Sequence, residues 1–320
     1  MKQTNAIALL TGMLAFTSSH AANTAAGLAT RDLNPVLQPI YIPAYTPFGS
    51  SNGWRIDHSV YVTNASQLES AGDENLALDI ENYRYELGFR YRRDNWLGQV
   101  NVPFIANHGG ELDGAIDSFH DLFGLPDGDR KDLPKNDINV EYIRDGKVEY
   151  SQDKSSSGLA DISLALGYQL TEGTRYFVGI ELPTGSESDY SGNEAIDYAT
   201  WLTHETLINA ELSIYGLLGV SFPGDDGNLQ GLLVDEIWVA QLGTQYFFND
   251  GIAGTVQLDW HSQVIDDSDL TAFGDSLQIQ LGLGFLKLFD NHRLDLFFSE
   301  DIKVESAPDI TFGLRLAREF

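Results

Sequence analysis

The chain contains no cysteine. That absence excludes disulfides, thiolate nucleophiles and cysteine-based metal centres together. It also lacks any apolar run near the ~18 residues that a membrane-spanning helix needs. Basic residues are scarce: 19 Lys and Arg stand against 47 Asp and Glu, a formal charge of −28. Nucleic-acid phosphates would repel such a chain, so nucleic acid is not an expected partner. The same charge argues against a polybasic lipid-binding surface. Proline is sparse at 10 residues, whereas glycine reaches 31, phenylalanine 17, tyrosine 14 and tryptophan 5. The mean hydropathy of −0.19 is that of a soluble protein. A chain that places apolar residues at every second position averages to the same value.

That alternation is plain near residue 320. Ile310, Phe312, Leu314, Leu316 and Phe320 fall on one face, and Thr311, Gly313, Arg315, Ala317 and Glu319 on the other. An alternating segment of ~10 residues closed by an aromatic is how the last strand of an outer-membrane β-barrel reads. The barrel-insertion machinery is the expected biogenesis partner. The opposite end reads as a secretory signal: Met1-Lys2 is a positive n-region, 6–16 is an apolar core, and Ser19-His20-Ala21 suits cleavage after Ala21. The expected compartment is the outer membrane of a Gram-negative cell, facing outer-membrane lipid and lipopolysaccharide.

Period-two alternation predicts twelve strands. They are Gly53–Val62, Ala77–Arg93, Trp96–Ile105, Leu159–Leu170, Thr174–Leu182, Asp197–Asn209, Glu211–Val220, Asp235–Phe247, Ile252–Val264, Asp275–Leu286, His292–Ser299 and Pro308–Phe320. Connections after the odd strands read as long and those after the even strands as short. This is the asymmetry of outer-membrane barrels, with long extracellular loops and short periplasmic turns. Tyr91, Trp96, Tyr168, Tyr176, Tyr246 and Phe320 then gather at the short-turn end, where an interfacial belt belongs. The expected fold is all-β: a monomeric, transmembrane, antiparallel up-and-down barrel over residues 53–320.

Two segments break the rhythm. Residues 22–52 carry Pro35, Pro39, Pro43 and Pro47 and read as extended. They are expected either to lie in the periplasm or to thread into the barrel as a plug. Residues 106–158 form a long insertion. Leu112, Ile116, Phe119, Leu122 and Phe123 have helical spacing, which predicts a short amphipathic helix stopped by Gly124 and Pro126. A hairpin is predicted at 138–150 around Asp145-Gly146. Asp113, Asp117, His120 and Asp121 on the helix are the candidate constriction of the mouth.

Several stretches resemble a family of uncharacterised proteobacterial proteins, domain of unknown function 3187. They are Arg31-Asp32-Leu33-Asn34-Pro35, Asn107-His108-Gly109-Gly110, Phe119-His120-Asp121-Leu122-Phe123-Gly124-Leu125-Pro126-Asp127-Gly128 and Ser157-Gly158-Leu159-Ala160-Asp161. Ala160 departs from the usual glycine of the last motif. The resemblance implies an outer-membrane protein and brings no catalytic residues.

Chemistry-bearing patterns are few. His120 among Asp113, Asp117 and Asp121 has no recognised ligand spacing, and a solvated acidic face accounts for it. Asp127-Gly128-Asp129 and Asp225-Asp226-Gly227-Asn228 lack the closing glutamate of a calcium loop. Ser59, Ser163 and Ser262 with His58, His204 and His261 lie in strands without a nucleophile motif. No cofactor, metal or catalytic residue is therefore expected. Strand parity instead turns Arg55, Asp57, Arg84, Glu86, Arg90, Glu181, Asp259, Arg293, Asp295 and Arg315 into the lumen. These are the candidate lumen lining. The function expected is a narrow, porin-like passive channel for a small solute, gated by the 106–158 loop. A non-conducting structural or surface-interaction barrel and a lipid-modifying enzyme are the alternatives.

Overall fold

The structure, a computed structural model, describes residues 27–49, 51–110, 114, 137–289, 291–303 and 305–320. The signal segment and the candidate constriction residues Asp113, Asp117, His120 and Asp121 lie outside them, as does nearly all of the expected loop helix.

Fifteen strands are present among the described residues. They are β1 (Gly53–Ala71), β2 (Glu74–Arg93), β3 (Trp96–His108), β4 (Val140–Arg144), β5 (Lys147–Gln152), β6 (Ser156–Leu159), β7 (Ile162–Gln169), β8 (Thr174–Leu182), β9 (Asp197–Leu207), β10 (Leu212–Phe222), β11 (Ile237–Asn249), β12 (Ile252–His261), β13 (Ser276–Phe289), β14 (His292–Asp301) and β15 (Ile310–Glu319). Twelve of them, β1–β3 and β7–β15, form one antiparallel ring that β1 closes by pairing with β15 over Arg55↔Glu319 to Asn64↔Ile310. Closure leaves no sheet edge, which is what a lipid environment requires of strands. Outward positions are aliphatic or aromatic, such as Leu166, Val178, Leu242 and Leu283. Trp54, Tyr91, Trp96, Tyr168, Tyr176, Tyr246 and Phe320 stand exposed around the short-turn end. Asn249 accepts from Gly251 and Ile252 in one of those turns, at 2.8 and 3.0 Å.

One sequence expectation needs correction. The connection between the first two strands is not long. β1 and β2 pair without interruption to Ala71↔Glu74 and join through a two-residue turn at Gly72 and Asp73. The alternation fades after Val62 because the strands there rise past the apolar band. With protein rather than lipid around them, Asn64, Ser66 and Gln67 are buried polar residues. The backbone ladder continues although the lipid-facing pattern stops.

This extension builds a cap over the long-loop end. β4 pairs with the start of β2, and β5 with β4, around Asp145-Gly146. Glu74, 3% exposed, is the hub of the cap. It accepts from the Tyr142 hydroxyl at 2.5 Å, the Ser268 hydroxyl at 3.1 Å and the Asp269 amide at 2.8 Å, and pairs with Arg144 at 3.2 Å. Below it, Leu78, Tyr142, Leu232, Ile265 and Phe273 form an apolar cluster.

Candidate functional site: a lumen and its internal plug

The lumen is not empty. Residues 27–49 run inside the ring, and Leu28, Leu33, Val36, Leu37, Ile40, Tyr41, Ile42, Tyr45 and Phe48 are all buried. Of the two placements open to the proline-bearing segment, the structure has the internal one. The segment rises along β11 and β12, turns at 35–39, and descends past β9 and β8 to Gly49 beside Arg92 and Glu319. Val36, Leu37 and Ile40 at the turn join the apolar cluster beneath the cap.

The plug forms no strand, so the peptide groups not satisfied within its own turn at 34–40 find partners among wall side chains. Glutamines supply them. Gln257 accepts from the Leu28 amide and donates to the Leu28 carbonyl, both at 3.1 Å. Gln241 accepts from the Tyr45 amide and donates to the Thr30 carbonyl at 3.0 Å. A primary amide has the donor and acceptor of a peptide unit, so each glutamine acts as a piece of strand edge. Asp197 accepts from the Tyr41 amide at 2.9 Å, and the Ser221 hydroxyl donates to the Tyr41 carbonyl. Asp32 meets His261 Nε2 at 3.0 Å.

Aromatic rings complete the contact. Phe48 stacks on Phe177 with centroids 5.6 Å apart, Tyr45 lies 4.6 Å from Tyr215, and Tyr41 meets Trp201 edge-on at 6.3 Å. The wall rings lie flat because glycines face them. A Cβ on Gly243 would stand 2.1 Å from the Tyr215 ring, and one on Gly167 would stand 2.3 Å from Phe177. Beside residues 29–46 a polar space of only about 50 Å³ remains. That admits a few waters.

Among the candidate lining residues, Arg55, Asp57, Arg84, Arg90, Glu181, Asp259, Asp295 and Arg315 are buried inside the ring. Glu86 and Arg293 are half-buried. The structure brings most of the charges into two adjoining groups, because β1 pairs with both β2 and β15. Arg55 meets Asp57 at 2.8 Å, with Arg90 at 3.9 Å from the same carboxylate. Asp295 sits between Arg293 and Arg315, each at 2.8 Å. Arg84 pairs with Glu86 at 3.0 Å. Glu181 on β8 lines the same small spaces as Arg31 and Arg84. Asp259 on β12 has no ion pair among the described residues and accepts instead from Gln257 and Gln280.

Several lumen residues were missed in the sequence. Arg175 shares the face of Glu181 by parity and is buried against Glu205 at 2.6 Å. Arg31, Tyr41 and Tyr45 carried no periodic signal, although Arg31 and Asp32 stand in the first family-like stretch. The serines and histidines considered for nucleophilic chemistry do not assemble. His261 has both ring nitrogens engaged, one by Asp32 and the other by the Ser262 carbonyl at 2.8 Å. His58 faces outward and meets the Tyr85 hydroxyl at 2.7 Å. Asp225 and Asp226 spend their carboxylates on the Gly231 and Gly227 amides, as ordinary turn residues do. No cluster of three or more ligating side chains occurs among the described residues.

The ring, its lipid-facing apolar surface and the polar interior define a barrel of the outer-membrane channel and porin type. The chain belongs to the family described as Protein of unknown function (DUF3187), whose model matches residues 6–320. No curated protein matches it in sequence. Among solved structures it is similar to the COG4313 outer membrane channel from Pseudomonas putida F1. That match has 15% identity and a TM-score of 0.53, covering 84% of this chain and 96% of the other. The Ralstonia pickettii toluene transporter TbuX aligns at 10% identity and a TM-score of 0.45, over 90% of this chain and 98% of that one. At such identities the first likeness concerns the fold alone, and the second carries no argument.

Proposed function

We infer that the protein is a narrow passive channel of the outer membrane for a small solute, narrowed at rest by its own N-terminal segment. In this reading the signal is removed after Ala21, the short turns face the periplasm, and the apolar belt contacts outer-membrane lipid and lipopolysaccharide. The observation that carries it is the way residues 27–49 are held. The wall closes its own backbone ladder without them. They attach through glutamine amides, hydroxyls, ring contacts and a few charged wall groups such as Asp197 and His261, whose partners on the plug can be exchanged for water. A barrel built to be solid would fill its interior from its own strands.

The test is single-channel recording of the refolded mature protein beside a variant lacking residues 22–49. The expected result is small or rare steps for the full chain and large, persistent steps for the variant. The filled lumen also favours a second reading, a static non-conducting barrel. Silence of both proteins, each verified as a folded heat-modifiable barrel, would refute the channel and leave that one. The 106–158 loop has a separate role to test. Its β4–β5 hairpin belongs to the cap, so its removal should raise conductance further only after the plug is gone.

A further inference from the structure

Three small spaces run in series along one side of the plug. The first opens at the short-turn end between Gly49, Trp54 and Glu319, and holds about 20 Å³. The second is the 50 Å³ space beside residues 29–46. The third, about 10 Å³, leads on toward Asp161 and Ser191 under the cap. Arg90 borders the first and second. Arg31 and Arg84 border the second and third. With Arg55 and Arg92 at the entrance, five guanidiniums line the series.

This is a marked local enrichment in basic groups. The whole chain carries 47 acidic and 19 basic residues. Along the series the five arginines face four lining carboxylates, those of Glu319, Glu86, Glu181 and Asp161, and Asp57 lies against Arg55 and Arg90. Two of the five arginines are spent on neutral oxygens. Arg92 donates to the Gly49 carbonyl at 3.0 Å and to Gln169 at 2.6 Å. Arg90 donates to the carbonyls of Phe89 and Val100 at 3.1 and 3.2 Å. Arg92 meets no carboxylate within 4 Å among the described residues, and Arg90 has only the longer 3.9 Å contact to Asp57, a carboxylate it shares with Arg55. The donors are also incompletely used. Arg90 Nε and Arg55 Nη2 are buried and have no hydrogen-bond acceptor among the described residues. Both arginines are more than nine-tenths buried, at 3% and 7% exposure. A buried guanidinium N–H with no acceptor is costly and fits an anionic or water oxygen, or a halide, beside it.

We propose that this arginine file is the permeation path and selects small anions, passing them from Arg92 and Arg55 by way of Arg90 to Arg84 and Arg31. Rings and files of one charge sign select the opposite ion in narrow pores. Low-dielectric walls sharpen that effect by focusing the field. Glu86 and Glu181 keep the file from holding an anion too tightly, because conduction needs release as well as entry. The proposal rests on the channel reading above and names its solute class.

The test is the reversal potential of the full mature protein in a KCl gradient, with heat-modifiability confirming the fold. The expected result is chloride permeability above potassium permeability. Arg92→Gln should lower that ratio severalfold. Arg92 lies at the rim and its partners are neutral, so this variant should fold; Arg90→Gln is the stronger variant. Lys147→Gln, on the exposed cap hairpin, should leave the ratio unchanged. Cation preference, or a ratio that Arg92→Gln and Arg90→Gln leave unmoved, would overturn the anion file while the channel stands. Conductance seen only after deletion of residues 22–49 would also overturn the file, since the path would then not run beside the plug. Silence of full-length and deleted proteins alike would overturn the channel itself.

Discussion

Tyr45 is the place where the plug can be loosened without touching the wall. Its ring lies 4.6 Å from Tyr215, its hydroxyl donates to Glu205 at 2.7 Å, and its side chain is fully buried. Truncating a buried aromatic residue to alanine costs about 3–5 kcal/mol. Removing only the hydroxyl costs about 1.5–3 kcal/mol, because the bond it loses is to a charged group. Glu205 keeps its partner Arg175 at 2.6 Å in either case, so no carboxylate is stranded. If the plug leaves the wall as a unit, these costs fall on the plug equilibrium and not on the barrel. One tenfold change corresponds to about 1.4 kcal/mol. Tyr45→Ala should then raise the displaced population by roughly 10²–10³-fold, and Tyr45→Phe by roughly 10–100-fold. The absence of cysteine makes the measurement clean. A single Ala44→Cys, next to Tyr45 on the descending arm, should react with a maleimide in proportion to the displaced population. Acceleration below tenfold in the alanine variant, with the barrel still folded, would refute independent movement of the plug. So would a fall in barrel stability equal to the full cost.

Other consequences are as definite. Asp295 holds two guanidiniums, so Asp295→Ala should destabilise the barrel by about 3–5 kcal/mol in urea titration, as loss of one partner of a buried pair does. Gly243→Val forces Tyr215 from the wall and should break its 2.7 Å bond to Gln257. It should cost about 1–3 kcal/mol by overpacking, read in the same titration. At the cap tip a hydrogen bond between the carboxyls of Asp73 and Asp145 lowers the pKa of the first and raises that of the second. Asp145 is the proton donor. The link is therefore present below its raised pKa and is lost as pH rises through it. Carboxyl NMR titration should show the two split to either side of the ordinary range, and Asp73→Asn should return Asp145 toward it.

The fold was legible for a physical reason. A strand between lipid and a polar lumen must alternate, and the parity that sends Leu281 outward sends Gln280 inward. The same parity gives the lining residues, from Arg55 to Arg315, without any knowledge of their partners. It fails where its cause ends. β1 and β2 above the apolar band face protein on both sides, and their long hairpin reads as a loop. The plug was legible only as a proline-bearing stretch with two alternative homes. Its bonds to Gln241, Gln257 and Asp197 join residues 156 to 229 positions apart, through side chains whose role no local pattern declares. The candidate constriction residues on the 106–158 loop lie outside the described residues, so the charges that the structure does bring together are those of the wall.

The distribution of bond types separates wall from plug. Ion pairs in the lumen run from wall to wall: Arg55 to Asp57, Arg175 to Glu205, Arg293 and Arg315 to Asp295. From plug to wall there is one among the described residues, Asp32 with His261. The other plug contacts are rings and hydrogen bonds with a neutral group on at least one side, such as the Tyr41 amide to Asp197, the Tyr45 hydroxyl to Glu205 and the Gly49 carbonyl to Arg92. This division has a mechanical consequence. A guanidinium stripped of its carboxylate inside a barrel would resist any motion that stripped it, at a cost of several kcal/mol. An amide that loses a peptide partner to water gives up about 1 kcal/mol. The wall charges therefore keep one arrangement whether the plug is in or out, and the lumen an entering solute meets is already set. Such a barrel can change its aperture while Arg55, Arg84, Arg90 and Arg92 keep their places on the wall, which is the property a gated passive channel requires.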